Sequence, residues 1–243
     1  MLTANVILPL SMASKRIRHR VEHTRNKHSR AVFRDGTIVI RLAKNLTRME
    51  QEEHISDLLR RMTRQILEDE QMKLIDPFRP LLEGSESLTV RTATGKAYHF
   101  TLKAGEKTRA RRNFRGWTVT ISPHVRRRAL HAFLWDLLSS AEERRVRMLV
   151  HELNDLQYCF PLRKIRLKFA SSQWGSCSPK KIIMLNSALL FVPPSVLKYV
   201  IVHELAHLKH CNHSKTYWNT VGKGMPRYKR AREILKEYRL PSI

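Results

Sequence analysis

Apolar positions along the 243-residue chain change their spacing several times, and each change marks an element. Residues 16–23 and 30–42 read as strands. Asp35-Gly36 interrupts the second run, between Arg30-Ala31-Val32-Phe33 and Thr37-Ile38-Val39-Ile40, and predicts a hairpin turn. Over residues 49–72 the spacing lengthens to Ile55, Leu58, Leu59, Met62 and Ile66, a helical stripe. Glu50, Glu52 and Glu53 lie in its first turn and complement the helix dipole. Pro77 and Pro80 end this unit. Residues 88–90 and 98–102 then predict a hairpin through Thr94-Gly95, and residues 109–122 another through Arg115-Gly116. The last hairpin echoes the first: Ser29-Arg30-Ala31 and Gly36-Thr37-Ile38-Val39-Ile40 resemble Thr108-Arg109-Ala110 and Gly116-Trp117-Thr118-Val119-Thr120-Ile121. A helix is expected after each, so an internal strand-strand-helix repeat is predicted.

Two helices are expected next, over residues 126–139 and 142–158. Two strands follow, 166–170 and 182–190, joined by a turn-rich stretch with Gly175, Ser176, Ser178 and Pro179. Pro193-Pro194-Ser195 is a helix start. The run Val196, Leu197, Tyr199, Val200, Ile201, Val202, Leu205, Ala206, Leu208 is apolar nearly all round, as in a buried helix.

That helix carries His203-Glu204-Leu205-Ala206-His207. Residues four apart lie one above the other, so His203 and His207 direct two imidazoles to one point. Glu204 stands beside them, free to take a proton from water that a metal activates. His213 lies too far on to share the helix face. The helix must stop and the chain turn back, and Asn212, which tolerates the left-handed conformation, is the expected turn residue. Three histidines leave a fourth position open, which suits a catalytic zinc, one per chain. The spacing equals that of H-E-x-x-H-x-x-G-x-x-H proteases, but His210 replaces the glycine. Tyr228, Tyr217 and His210 are candidate donors to a developing oxyanion, with packing the favoured role for Tyr217. His151-Glu152 imitates the motif, but its fifth position is Asp155, so it reads as a solvated helix face.

The flanks of this helix resemble the YgjP-like metallopeptidases, relatives of the SprT-like and WLM proteases. The resemblance runs through Gln173-Trp174-Gly175-Ser176-Cys177-Ser178, Ile183-Met184-Leu185-Asn186, Pro193, Tyr199-Val200, His203 to His207, Asn212-His213-Ser214 and Tyr217-Trp218. It implies that His203, His207 and His213 are zinc ligands and Glu204 the general acid/base. Gln173 stands where the family often has Arg, and Tyr217 where it often has Phe. The strand region before the helix is expected to align an extended peptide through backbone hydrogen bonds. Trp174 is expected to pack there, and Asn186 either to cap that region or to meet substrate.

Charge sets the chain apart more than hydrophobicity does. Lys+Arg number 46 against 21 Asp+Glu, a formal net charge of +25. Nucleic acid is the natural counter-charge for such clusters, which run Lys15, Arg16, Arg18, Arg20; Arg25, Lys27, Arg30, Arg34; Lys107, Arg109, Arg111, Arg112, Arg115; and Arg126, Arg127, Arg128. Phe114 and Trp117 interleave with the third cluster, a pairing suited to phosphate tracking with base stacking. The alternative is a solvated basic surface. Three cysteines, Cys159, Cys177 and Cys211, make no disulfide framework and point to a reducing cytoplasm. Cys177 and Cys211 read as packing residues, although a thiolate from either would close the zinc site. The apolar patch at residues 6–10 is too short for an export signal, and no segment reaches the ~20 apolar residues of a membrane span.

The expected architecture is α+β. It comprises a basic strand-strand-helix unit over 1–83, a second hairpin and helix unit over 84–158, and a zincin-like catalytic domain over 159–243. The expected function is zinc-dependent peptide hydrolysis near nucleic acid. Two other classes fit the same residues: a metal-dependent UTP pyrophosphatase, and a nucleic-acid-binding module that uses zinc only to fold. Glu204 argues against the last, since a structural site has no use for a base.

Overall fold

The computed structural model describes residues 17–34 and 36–241. The apolar patch at 6–10, Lys15, Arg16 and Asp35 lie outside them. The chain divides into two compact units, Met1–Met72 and Lys73–Ile243.

The first unit holds strands β1 (Arg18–His23), β2 (Arg30–Arg34) and β3 (Thr37–Leu42) and helix α1 (Arg48–Gln71). β2 and β3 pair antiparallel, as the Gly36 turn requires with its φ of +72°, while β1 lies parallel to β3. Period-two alternation sends Ile38, Ile40 and Leu42 inward, where they meet Ile66 of α1. Thr47 and Glu50 form a reciprocal capping box that starts α1.

The second unit opens with β4 (Lys73–Leu74), the short helix α2 (Arg79–Leu82), β5 (Ser87–Arg91), β6 (Ala97–Ala104), β7 (Arg109–Arg112) and β8 (Gly116–Ile121). These give a four-stranded sheet in the order β5-β6-β8-β7. Gly116 is needed here, because it has a φ of +158° and a Cβ would collide with the backbone of His99. Helix α3 (Arg127–Gln157) follows as one continuous element of 31 residues, where the sequence suggests two helices with a break near Ser139-Ser140. No break is needed. Ser139 donates its hydroxyl to the Trp135 carbonyl at 2.6 Å and lies 2.5 Å from the Ser187 hydroxyl, so the helix keeps its course with the polar group satisfied. Trp135, on the same helix, stacks on Phe169 and meets Phe78 and Phe191 edge-on. Glu142 pins α3 to β6. Burial alone would raise its carboxyl, but hydrogen bonds from Tyr98, Arg145 and Lys96 outweigh that and hold it below the usual carboxylate range.

The remaining elements are β9 (Lys164–Lys168), β10 (Gly175–Cys177), β11 (Ile182–Asn186), a 3₁₀ turn (Ser187–Phe191), α4 (Pro194–Ala206), α5 (Lys215–Gly224), α6 (Tyr228–Lys236) and β12 (Tyr238–Arg239). The strand expected over 182–190 stops at Asn186. Its side chain accepts from the Ala188 N–H and donates to the carbonyls of Ala170 and Gln173, so Asn186 caps the 3₁₀ turn and stitches the preceding loop. β9 and β11 run parallel, and the extra strand β10 pairs antiparallel on β11, giving the order β10-β11-β9. One continuous core joins the inner face of the four-stranded sheet, α3, β9, β11 and α4. The observed class is α+β, a mixture of helices and small sheets. No helix among the described residues is long and apolar enough to cross a membrane.

Candidate metal centre

α4 begins with Pro193 as cap and Pro194 in its first turn, a start that costs no hydrogen bond. Nine of its 13 residues are buried, among them Val200, Ile201, Val202 and Leu205. Each such aliphatic side chain contributes about 1.5–3 kcal/mol on burial, so the helix is held rigidly. His203 and Glu204 therefore project from a fixed support.

The helix ends earlier than the apolar run suggests, at Ala206, with His207 as its C-cap. Three-residue bonds, Leu208 N–H to Leu205 and Lys209 N–H to Ala206, tighten the last turn. Asn212 does not take the left-handed conformation that its residue type suggests. The return of the chain is secured just downstream, where Ser214 caps α5 by accepting from Tyr217 N–H, leaving His213 immediately before the cap.

The three imidazoles converge. One nitrogen from each of His203, His207 and His213 lies within 4.8 Å of the others. Nε2 of His203 and Nε2 of His213 are 3.3 Å apart. Two nitrogens sharing a tetrahedral zinc at about 2.0–2.1 Å would stand roughly 3.3–3.4 Å apart, so the residues fit such an ion. His207 Nδ1 lies 3.0 Å from the His210 carbonyl, which can only accept; that nitrogen carries the proton and Nε2 keeps its lone pair. Burial, with His207 and His213 nearby, pushes His203 down to about 3, so this ring is neutral at physiological pH. Burial, with His207 and Arg232 nearby, also lowers His213, which is more exposed.

Tyr217 is the residue that organises the triad. It is fully buried, its ring packs against all three histidines, and its hydroxyl donates to the His203 carbonyl at 3.1 Å. That hydroxyl is committed to the backbone of α4. His210 is likewise engaged, with Nε2 at 3.0 Å from the Thr220 hydroxyl. Tyr228 stacks on Trp218, which in turn stacks on His213, and the Arg232 guanidinium sits 4.8 Å over Trp218.

Glu204 is 4% exposed, and burial pushes its carboxyl up to about 8. It lies against β10. A Cβ on Gly175 would stand 2.6 Å from Glu204 Oε1 and 3.0 Å from Cγ, so only glycine lets the strand and the carboxylate share this space. The sequence signal for this is weak, because a glycine between Trp174 and Ser176 reads first as part of a turn. Trp174 is half-buried against the core and accepts from the Asn186 N–H. The Cys177 thiol is pushed up to about 11, chiefly by burial and then by the Glu204 charge, as befits a packing residue. His151 and Glu152 are exposed on α3, away from any histidine cluster among the described residues.

A model of the YgjP-like metallopeptidase domain matches residues 8–238. The chain belongs to the YgjP-like metallopeptidase family. As a family member it is a metal-dependent hydrolase acting on peptide bonds, and the family implies a divalent metal. Among solved structures, this YgjP-like chain is similar to the metallopeptidase zymogen abylysin of Pyrococcus abyssi. The two are 32% identical over 37% of this chain and 87% of that one, with a TM-score of 0.33. Among curated proteins, none matches.

Proposed function

We propose that this chain is a zinc metallopeptidase in which His203, His207 and His213 hold one zinc ion and Glu204 is the general acid/base. The convergence of three ring nitrogens within 4.8 Å beside a buried carboxylate carries this reading. When bound, the ion acidifies water and polarises the scissile carbonyl. Glu204 accepts the proton of the attacking water at its carboxylate and returns it to the leaving nitrogen. Gly175 keeps that carboxylate in place. β10 pairs on one side only, with β11, and its other edge is free among the described residues; an extended peptide would add there through backbone hydrogen bonds. The formal net charge of +25 supports action near nucleic acid.

Comparing wild type with Glu204→Gln tests the assignment. Both proteins should hold equal zinc, while the variant loses peptide hydrolysis by about 10²–10⁴-fold. Undiminished hydrolysis would remove Glu204 from the mechanism. Turnover of UTP with no cleavage of an unfolded protein would replace the peptidase reading with a pyrophosphatase, and zinc-dependent folding with no turnover would replace it with a binding module.

A further inference from the structure

The four-stranded sheet has one face in the core and one in solvent. Tyr98, Phe100, Trp117 and Val119 point inward. The alternating positions point outward, and the register lines them up across the sheet. Ser87, Thr101, Thr118 and Arg111 form one cross-strand row, and Lys103, Thr120 and Arg109 form the next.

This face has an unusual composition. Four cations, Arg91, Lys103, Arg109 and Arg111, fall on its outward positions, and strands β5 to β8 contain no carboxylate. Over residues 87–121, loops included, Glu106 is the one acidic residue against eight Lys and Arg. A surface evolved only for solubility mixes signs, as the outer face of α3 does, where Arg144 and Arg147 stand among Glu143, Glu152 and Asp155. Cations interleaved with hydroxyls are instead the donor set that contacts phosphate oxygens. At the tip of the β7–β8 hairpin, Phe114 is 93% exposed, with the Arg115 guanidinium 5.1 Å over its ring. An isolated aromatic presented to solvent beside a face of cations and hydroxyls is placed to stack on a base.

We propose that the outer face of the β5–β8 sheet, with Phe114 at its rim, is a binding platform for single-stranded nucleic acid. It rests on the nucleic-acid association proposed above and assigns that association to one surface. Phosphates lie along the Arg111 and Arg109 rows, and one base stacks on Phe114. The chemistry is common to DNA and RNA.

Fluorescence anisotropy of labelled oligo-dT and oligo-U strands, about 20 nucleotides long, tests this over a series of salt concentrations, with no peptide present. Wild type should bind. Arg109→Ser with Arg111→Ser should weaken binding and lower the slope of log K against log salt by about 1.4, about 0.7 for each phosphate no longer neutralised. Phe114→Ala should weaken binding about 5- to 150-fold with the slope unchanged. Arg144→Ser with Arg147→Ser on α3 should do neither. All substituted side chains are on the surface, and thermal melts establish that each variant is folded. The proposal is overturned if wild type binds neither strand, if the α3 pair costs as much as the sheet pair, or if Phe114→Ala is neutral. It is equally overturned if phosphatidylglycerol vesicles are bound in place of the oligonucleotides. Because no peptide is hydrolysed in the assay, these outcomes are independent of the peptidase assignment.

Discussion

The chain uses one supersecondary pattern twice. In β1-β2-β3-α1 and in β6-β7-β8-α3, a first strand runs parallel to the third, a hairpin partner runs antiparallel to it, and a helix follows. Even a detail recurs: Ser29 accepts from the Ala43 N–H at 2.9 Å, and Thr108 accepts from the Ser122 N–H at 3.2 Å. These partners, and the first helical residues Arg48 and Arg127, sit at the same offset in sequence. What differs is the helix. α1 buries one residue of 24, whereas α3 buries ten of 31. The first copy makes a small core of its own, while the second supplies a helix whose faces meet both the sheet and the elements that carry the histidines. The same local code thus yields either a unit with a small core of its own or the spine of the unit that carries the histidines, according to how many helix faces are apolar.

The largest contrast is expected from core truncation. Trp135→Ala should cost about 3–5 kcal/mol and take peptide hydrolysis down with the fold, because the Trp135 ring joins α3 to Phe169 and Phe191. Ile40→Ala should cost a comparable ~2–5 kcal/mol in the first unit alone. Two calorimetric transitions, with hydrolysis of a short peptide following the one that Trp135→Ala lowers, are the expected result. A single transition shifted by both variants would remove the distinction.

Glycines sharpen the comparison at smaller scale. Gly175→Ala should leave the melting temperature nearly unchanged yet lower kcat by up to about a hundredfold, since the added Cβ displaces the Glu204 carboxylate. Gly36→Ala meets no neighbouring atom. Its effect should be confined to about 1–2 kcal/mol of turn strain at φ +72°. Steady-state kinetics beside thermal melts separates the two.

The smallest expected effect is at the helix starts. Thr47→Ala removes the side-chain acceptor of the Glu50 N–H, leaves the Glu50 carboxylate on the backbone N–H of residue 47, and should cost about 0.5–2 kcal/mol. Arg126→Ala, at the corresponding position before α3, makes no side-chain capping bond and should be nearly silent in the same melt.

Much of this is legible in the sequence, and the exceptions have physical causes. The turns at Gly36, Gly95 and Gly116 are readable because each needs a backbone conformation that glycine adopts freely. The histidine motif is readable because helical periodicity alone brings His203 and His207 together. The continuity of α3 is not, since the Ser139-Ser140 pair lowers helix propensity locally, while the contacts of the Ser139 hydroxyl with Trp135 and Ser187 depend on the fold. β10 escapes a sequence reading because three residues, Gly-Ser-Cys, carry no strand period. Its role against Glu204, and that of Asn186 in holding the loop before it, depend on contacts across 29 and 16 residues of chain that no local pattern encodes.

In the proposed centre three imidazoles hold the metal and leave a position open. Zinc-edge X-ray absorption on the zinc-loaded protein tests it most directly. Nitrogen and oxygen neighbours at about 2.0–2.1 Å are the expected result, and a sulfur at about 2.3 Å, from Cys177 or Cys211, would overturn the assignment by closing the site.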